Sequence, residues 1–327
     1  MIIGKHRQVP RKLLFYQAVK ARLPINHPLL PIIEEDIRRC EAGLAGEERL
    51  DRLLTAKYHH EKDYHLIQGL QLPYAKDSTF QIDTLLLKPT HIIPIEVKNM
   101  TGELCIDRQI GQMIQTVGDK RYVYEDPLTQ VQIQAQHFYH WMIERGFPSV
   151  TVEPLVMMGN SNCILRIDNN DAEAQYRICR GRKVLFRIDD LDYKHRTGIL
   201  TPDQLHEISR LIVQEEVEQW YDFEKIYKTP RTALRPGVHC PVCEILGMKY
   251  YHGLWICSRC GCKSHDAHIL ALRDYYLIWG PEITNAMFRW FLGVESVHVA
   301  SKLLKKLNLP SRGQNRYRVY TISFDIF

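Results

Sequence analysis

The stretch from Phe80 to Gly102, FQIDTLLLKPTHIIPIEVKNMTG, constrains the fold more than any other. It holds two short apolar runs joined by a turn at Lys88, Pro89 and Thr90. Runs of this length, rich in Ile, Val and Leu, read as strands. Successive side chains of a strand point to opposite faces. Glu96 and Lys98 therefore project together, and Ile93, Ile95 and Val97 point the other way, into a core. Asp83 stands on the first strand. A carboxylate beside an amine, with a second carboxylate on the neighbouring strand, is unusual for strands otherwise so apolar. Pro94 fits least well, because proline lacks a ladder donor. Either the strand begins after it or one ladder bond is missing.

The 327 residues suggest two or three domains, and a hydrophobic share of 45% is enough to bury a sizeable core. No apolar run nears the roughly 18 residues that span a bilayer. The basic N-terminus lacks the apolar block of a signal peptide, so a cytoplasmic location is expected. From Thr229 onward Lys and Arg outnumber Asp and Glu by 13 to 6, against 30 to 32 over the rest of the chain. That excess points to a polyanion as partner, most simply nucleic acid; on charge alone a merely solvated basic face explains it equally well. Cys40, Cys105, Cys163 and Cys179 are scattered and read as small buried residues. The other five cysteines fall between positions 240 and 262. Clustered cysteines in a reducing compartment point to metal rather than disulfides.

Residues 1–40 read as an N-terminal arm or short helix interrupted by Pro24, Pro28 and Pro31, with no chemistry assigned. Residues 41–60 read as an amphipathic helix with Leu50, Leu53 and Leu54 on its apolar stripe. Glu47 lies near its expected start, where a carboxylate suits the helix dipole. His59, His60 and His65 have no regular ligand spacing and read as exposed loop histidines. Strands are expected at 64–72, 103–107, 150–158 and 184–188. Asp126 and Pro127 open a helix to Arg145 as N-cap and first residue. Gln130, Gln134 and His137 line its polar stripe. Thr201-Pro-Asp-Gln204 is a capping box for a helix reaching about Tyr221. The Pro- and Arg-bearing segment 228–237 reads as a linker.

Strand, turn, strand and flanking helices make an α/β core carrying Glu47, Asp83, Glu96 and Lys98. Carboxylates on adjacent strands suit a hard divalent cation, and such an ion with a nearby lysine suits phosphodiester hydrolysis. By pattern alone, a structural Glu–Lys pair at a strand end is the better explanation of the spacing. The matching residues go further: Gly46-Glu47, Phe80-Gln-Ile-Asp83, Ile95-Glu-Val-Lys-Asn99, Gly102, and Asp126-Pro127 with Gln130. On these the sequence resembles the NERD (nuclease-related domain) proteins of bacteria, of the Bacillus type, within the PD-(D/E)XK nuclease superfamily. The resemblance covers about residues 41–160. It implies a PD-(D/E)XK-like mixed sheet flanked by helices. It implies Asp83 and Glu96 as ligands of Mg²⁺ (or Mn²⁺), with the Val97 carbonyl added to the shell. Lys98 would be the catalytic lysine, Glu47 the helix acid that completes the site, and Gln130 a cleft residue.

Cys240-Pro-Val-Cys243 and Cys257-Ser-Arg-Cys260 form two knuckles around a segment that alternates like a hairpin, with Gly253 at its turn. This pattern reads as a zinc ribbon with a structural Zn²⁺; Cys262 is left out. Helices are expected at 266–278, at 284–292 with Thr284 as N-cap, and at 296–308, followed by a hairpin from Arg312. The sum is winged-helix-like, with 296–308 as recognition helix. Lys302, Lys305, Lys306, Arg312, Arg316 and Arg318 are its candidate phosphate contacts; a small dimerisation domain is the competing reading. The expected domains are thus the arm 1–40, a nuclease-like domain 41–227, the linker 228–237, a ribbon 238–265 and a winged-helix-like domain 266–327. The function expected is a metal-dependent nuclease acting on nucleic acid, with DNA the expected polymer. The alternatives are a non-catalytic nucleic-acid-binding protein and a protein-interaction module. A homo-oligomer is compatible with each.

Overall fold

The computed structural model describes residues 2–60, 64–76 and 78–327, with the side chains of Ile2, Ile3 and Arg316 outside the described set. The chain divides into two compact units, Met1–Val9 with Glu41–Glu218, and Pro10–Cys40 with Gln219–Phe327. Residues 1–40, read above as an arm, divide between them, and 228–237 lies within the second. It is a mixed α/β chain, and no described helix is long and apolar enough to cross a membrane.

In chain order come β1 (Ile2–Lys5), α1 (Arg11–Arg22), α2 (Leu30–Lys57), β2 (His65–Ala75), β3 (Ser78–Leu87), β4 (Ile92–Lys98), β5 (Gly102–Asp107), β6 (Gln112–Val117), β7 (Lys120–Glu125) and α3 (Pro127–Glu144). Then follow β8 (Leu155–Met158), β9 (Cys163–Ile167), α4 (Ala172–Arg177), β10 (Ile178–Arg180), α5 (Lys183–Lys194) and α6 (Pro202–Glu215). The first unit is built on a six-stranded mixed sheet of order β1-β2-β3-β4-β8-β10, and a four-stranded sheet of order β7-β6-β5-β9. Phe138, Trp141 and Met142 of α3, with Leu205, Ile208 and Ile212 of α6, pack in one cluster with Leu85, Leu87 and Ile92. Leu50 and Leu54 of α2 and Tyr58 just after it, with Val184, Ile188 and Leu191 of α5, pack in another with Leu86, Ile93 and Ile95. The alternation of strand side chains sends neighbours into opposite helical layers.

Several sequence expectations change here. Helix α2 begins at Leu30, not 41, because Pro31 sits in its first turn, where a proline costs little. Glu47 is therefore mid-helix, far from the dipole end. Residues 184–188 are helical: Val184, Ile188 and Leu191 share one buried face at helical spacing. Helix α6 stops at Glu215 rather than about Tyr221. Pro154 delays β8 to Leu155. Cys105 is exposed. His65 is a buried residue of β2, 2.7 Å from Ser209 Oγ, not a loop histidine. Pro94 lies inside β4, opposite Leu85. Ile92 donates to Thr151 O on the far side from β3. Residues two apart face the same way, so the donor missing at Pro94 is on the side of β8, whose ladder starts only at Ile95↔Leu155.

Burial holds His65, His91 and His268 down to about 4. An unfolded histidine titrates near 6.5. Between these values the unfolded chain binds more protons, so stability rises with pH through the window. Urea midpoints measured from about pH 7 to about pH 4.5 should fall steadily, and His65→Gln should flatten the fall; a flat profile for the wild type would count against neutral burial.

The second unit contains α1, the first part of α2 and the C-terminal segment. That segment adds α7 (Phe223–Tyr227), β11 (Lys249–Tyr251), β12 (Leu254–Ile256), β13 (Lys263–Ser264), α8 (Ala267–Trp279), β14 (Glu282–Thr284), α9 (Asn285–Leu292), α10 (Val297–Lys306), β15 (Ser311–Arg312) and β16 (Val319–Thr321). β11 and β12 form a hairpin with His252 and Gly253 both at positive φ, as a tight two-residue turn requires. β14, β16 and β15 make a three-stranded antiparallel sheet in that order. The run from α8 is thus helix, strand, helix, helix, strand, strand. Thr284 caps α9 through Met287 N, and Gly293 ends it at φ 69°.

Candidate active site and cysteine cluster

The site begins where the six-stranded sheet forks. β3 and β4 pair only as far as Thr84↔Ile95. Beyond that rung β3 continues with β2, and β4 continues with β8 through Glu96↔Val156 and Lys98↔Met158. Continuing the register by one rung sets Asp83 opposite Glu96, at the crotch of the fork. The Val97 N–H, left without its β3 partner, donates instead to Asp83 Oδ2 at 2.9 Å. The side chain of Asp83 thereby takes the place of a ladder bond.

Both carboxyls are buried, Asp83 at 9% and Glu96 at 3% exposure. Lys98 Nζ donates to Glu96 Oε1 at 2.6 Å and to Gln130 Oε1 at 2.9 Å. Gln134 Nε2 donates to Glu96 Oε2 at 3.2 Å. Gln130 and Gln134 are one helical turn apart on α3, whose entry is fixed by Asp126 accepting from Leu128 N and Thr129 N. Further along that stripe His137 stacks on Tyr74 at 3.6 Å.

The third acid comes from α2. Gly46 lets the helix approach the end of β4: a Cβ there would lie 2.5 Å from Asn99 Cβ. Asn99 Nδ2 donates to Ala42 O at 2.7 Å, and Arg49 donates to Gly159 O at 2.8 Å. Glu47, next to Gly46, is thus brought to the fork. Gly46→Ala gains helix propensity of up to about 1 kcal/mol, but overpacking costs about 1–3 kcal/mol. We expect net destabilisation in urea and a displaced Glu47; unchanged stability and function would show that the close approach is dispensable.

Arg7 is the participant that sequence reading missed. Its guanidinium binds Glu47, bonds Asp51 at 2.6 and 3.0 Å, and donates to Asp83 O and Thr84 Oγ1, each at 2.9 Å. Only Glu47 and Asp51, one turn apart on α2, could have hinted at a cation; nothing pointed to Arg7. Burial pushes Asp83 well above the ordinary carboxylate range, and the charges of Glu96 and Glu47 push it further. Burial also raises Glu47, with Arg7 opposing and Asp51 and Glu96 adding. Three acids gathered at one fork, with the charge of Glu96 raising both Asp83 and Glu47, form a donor set fitted to a hard cation. In the geometry described, Glu47 is turned to Arg7, and Glu96 to Lys98 and Gln134.

Residues 42–159 match the NERD family, the nuclease-related domain. The NERD segment therefore contains Glu47, Asp83, Glu96, Lys98 and Gln130, and Arg7 enters from outside it. An uncharacterized protein of Bacillus anthracis is 22% identical over 125 residues, 38% of this chain and 57% of that relative. The match thus spans little more than half of the relative's length. No solved structure matches the chain.

In the second unit Cys240, Cys243, Cys257 and Cys260 bring their sulfurs within 4.8 Å of one another, a group that can hold a metal ion. Cys240 and Cys260 are 3.5 Å apart, and Cys243 and Cys257 3.6 Å. Amides of the knuckles favour thiolate: Cys243 N draws Cys240 down to about 6, and the amides of Cys260 and Arg259 lower Cys257. Cys260 receives an amide from Cys262, yet desolvation and the three crowding sulfurs push it up to about 12; a bound cation would relieve that opposition. Cys262 is outside the group.

On α10, Ala300, Leu303 and Leu304 are buried. Lys302, Lys305 and Lys306 line a cavity of about 460 Å³ with His298 and Ser301. Arg312 is paired with Glu282 at 2.8 Å. Arg318 is half-buried, and the side chain of Arg316 lies outside the described residues.

Proposed function

We propose that this chain is a Mg²⁺- or Mn²⁺-dependent nuclease that hydrolyses phosphodiester bonds in nucleic acid, with DNA the expected polymer. The observation that carries the reading is the sheet fork, which sets Asp83 opposite Glu96 within a nuclease-related segment. Asp83, Glu96 and the Val97 carbonyl would hold the divalent ion, and Glu47 would complete the acidic set. When bound, the ion would supply an activated water and neutralise charge on phosphorus-bound oxygens.

The chain's own groups have distinct tasks. Lys98 carries a fixed positive charge beside the acids, suited to a negative phosphoryl oxygen. Gln130 holds the Lys98 ammonium and Gln134 holds the Glu96 carboxylate, so neither has to be ordered when substrate arrives. Clustered thiols fit a reducing cytoplasm and a structural Zn²⁺. The helix, strand, helix, helix, strand, strand order of the tail fits a winged helix, with α10 presenting Lys302, Lys305 and Lys306 to phosphates.

The test is incubation of the purified chain with single- and double-stranded DNA and RNA, with Mg²⁺, Mn²⁺ or EDTA. Cleavage that needs the divalent ion is expected, and intact polymers under all conditions would overturn the reading. A second reading, a nucleic-acid-binding protein with an inactive core, has one observation behind it: both Glu96 oxygens already have protein partners. Binding without cleavage would favour it. Under either reading, replacing Lys302, Lys305 and Lys306 by Ala should weaken duplex binding and flatten the slope of log K against log salt by about 2–3. An unchanged slope in fluorescence anisotropy would remove α10 from the interface.

A further inference from the structure

The β7 strand, KRYVYE, is exposed at every one of its six residues. It is an outer strand of the four-stranded sheet, paired with β6 on one side. It contains no proline and no bulge in that pairing. Such an edge is a template for another strand unless something covers it.

The geometry states which backbone groups are free. Asp126 N donates to Gly111 O, directly opposite it. Bonded and unbonded pairs alternate along an antiparallel ladder. Tyr124, Tyr122 and Lys120 therefore bond to β6, and Arg121, Val123 and Glu125 turn their N–H and C=O outward. In an antiparallel pair of two such edges, outward residues must face outward residues. Centring the pair on Val123 opposite Val123 of a second copy satisfies this condition and is the register that pairs all three outward residues. Arg121 then faces Glu125 of the other copy at both ends, and Tyr122 faces Tyr124. The strand is thus complementary to itself in charge and in aromatic pairing, as a twofold interface requires.

We propose that two copies of this chain pair through β7 about a twofold axis at Val123, joining two four-stranded sheets into one of eight. The proposal does not depend on the chemistry at the sheet fork. Arg121, Val123 and Glu125 lie on the sheet face that also carries Cys105 and Ile114, so the joined sheets share a continuous apolar strip. The new pairing uses only groups that β6 leaves free.

Sedimentation equilibrium of the full chain, with circular dichroism as a check on folding, tests this. The wild type should be a dimer that dissociates on dilution. Val123→Pro removes an outward N–H and leaves the β6 ladder intact, so it should give a folded monomer. Arg121→Glu places acid opposite acid at both ends and should weaken dimerisation about tenfold or more. Adding Glu125→Arg to Arg121→Glu restores both pairs in reverse and should recover most of the affinity. A wild type that is monomeric at all concentrations overturns the proposal. So does a dimer indifferent to Val123→Pro, or a double reversal no better than the single one.

Discussion

Glu96→Gln should abolish divalent-ion-dependent cleavage, by at least about 10²–10³-fold, without loosening the fold. Gln is nearly the size of Glu and still offers an oxygen to the Lys98 ammonium. Glu96 is also one of the charges that hold Asp83 and Glu47 above their ordinary proton affinities. Removing it relieves repulsion, so the metal-free protein should melt at the same temperature or higher. Lys98→Ala should lose activity to a similar degree for the opposite electrostatic reason: it strips a buried carboxylate of its partner at 2.6 Å, and stability should fall as well. Opposite stability shifts with the same loss of cleavage are the signature of groups placed for chemistry. Cleavage by both variants at wild-type rates, measured on the same substrate, would end the assignment.

Cys257→Ser should release one zinc per chain, read by elemental analysis of the dialysed protein. The effect should be large, because structural zinc in isolated fingers is worth about 10–16 kcal/mol of apparent binding free energy at neutral pH. It should also spread. Cys240, Cys257 and Trp255 belong to the same buried cluster as Tyr275, Phe288 and Phe291. Loss of the ion therefore loosens a core that reaches into α8 and α9, and the variant should lose a cooperative transition rather than shift it slightly. A wild type free of zinc after dialysis, with a melt that Cys257→Ser leaves unchanged, would show that the four thiols merely pack.

The parts of the fold that were legible in the sequence are those that local rules decide. Asp126-Pro127 opening α3, the Thr201 capping box and Thr284 opening α9 each satisfy backbone groups within a few residues, and the alternation of β3 and β4 sets their two faces residue by residue. The parts that were not legible depend on approach. Pro31 sits in the first turn of a helix although the segment carries three prolines, and Glu47 owes its place to the missing side chain of Gly46 rather than to a helix end. Residues 184–188 offered too short an apolar run to tell strand from helix. The fork itself is a failure of pairing between two good strands, and no propensity encodes it. Arg7 reaches the site because β1 pairs in parallel with β2, a contact across some sixty residues of chain.

The two-residue turn at Pro89 and Thr90 acts as the zero mark of a ruler. Lys88 N donates to His91 O there, and four rungs separate that bond from the fork. A single residue inserted in the turn would slide β4 by one rung against β3, present Ile95 at the crotch and rotate Glu96 into an apolar layer. Every letter of the motif would survive and the centre would be gone. The length of the interval between Asp83 and Glu96 is therefore inherited information on a par with the two acids, and a relative with a longer turn should be counted as lacking the centre even when its alphabet is intact.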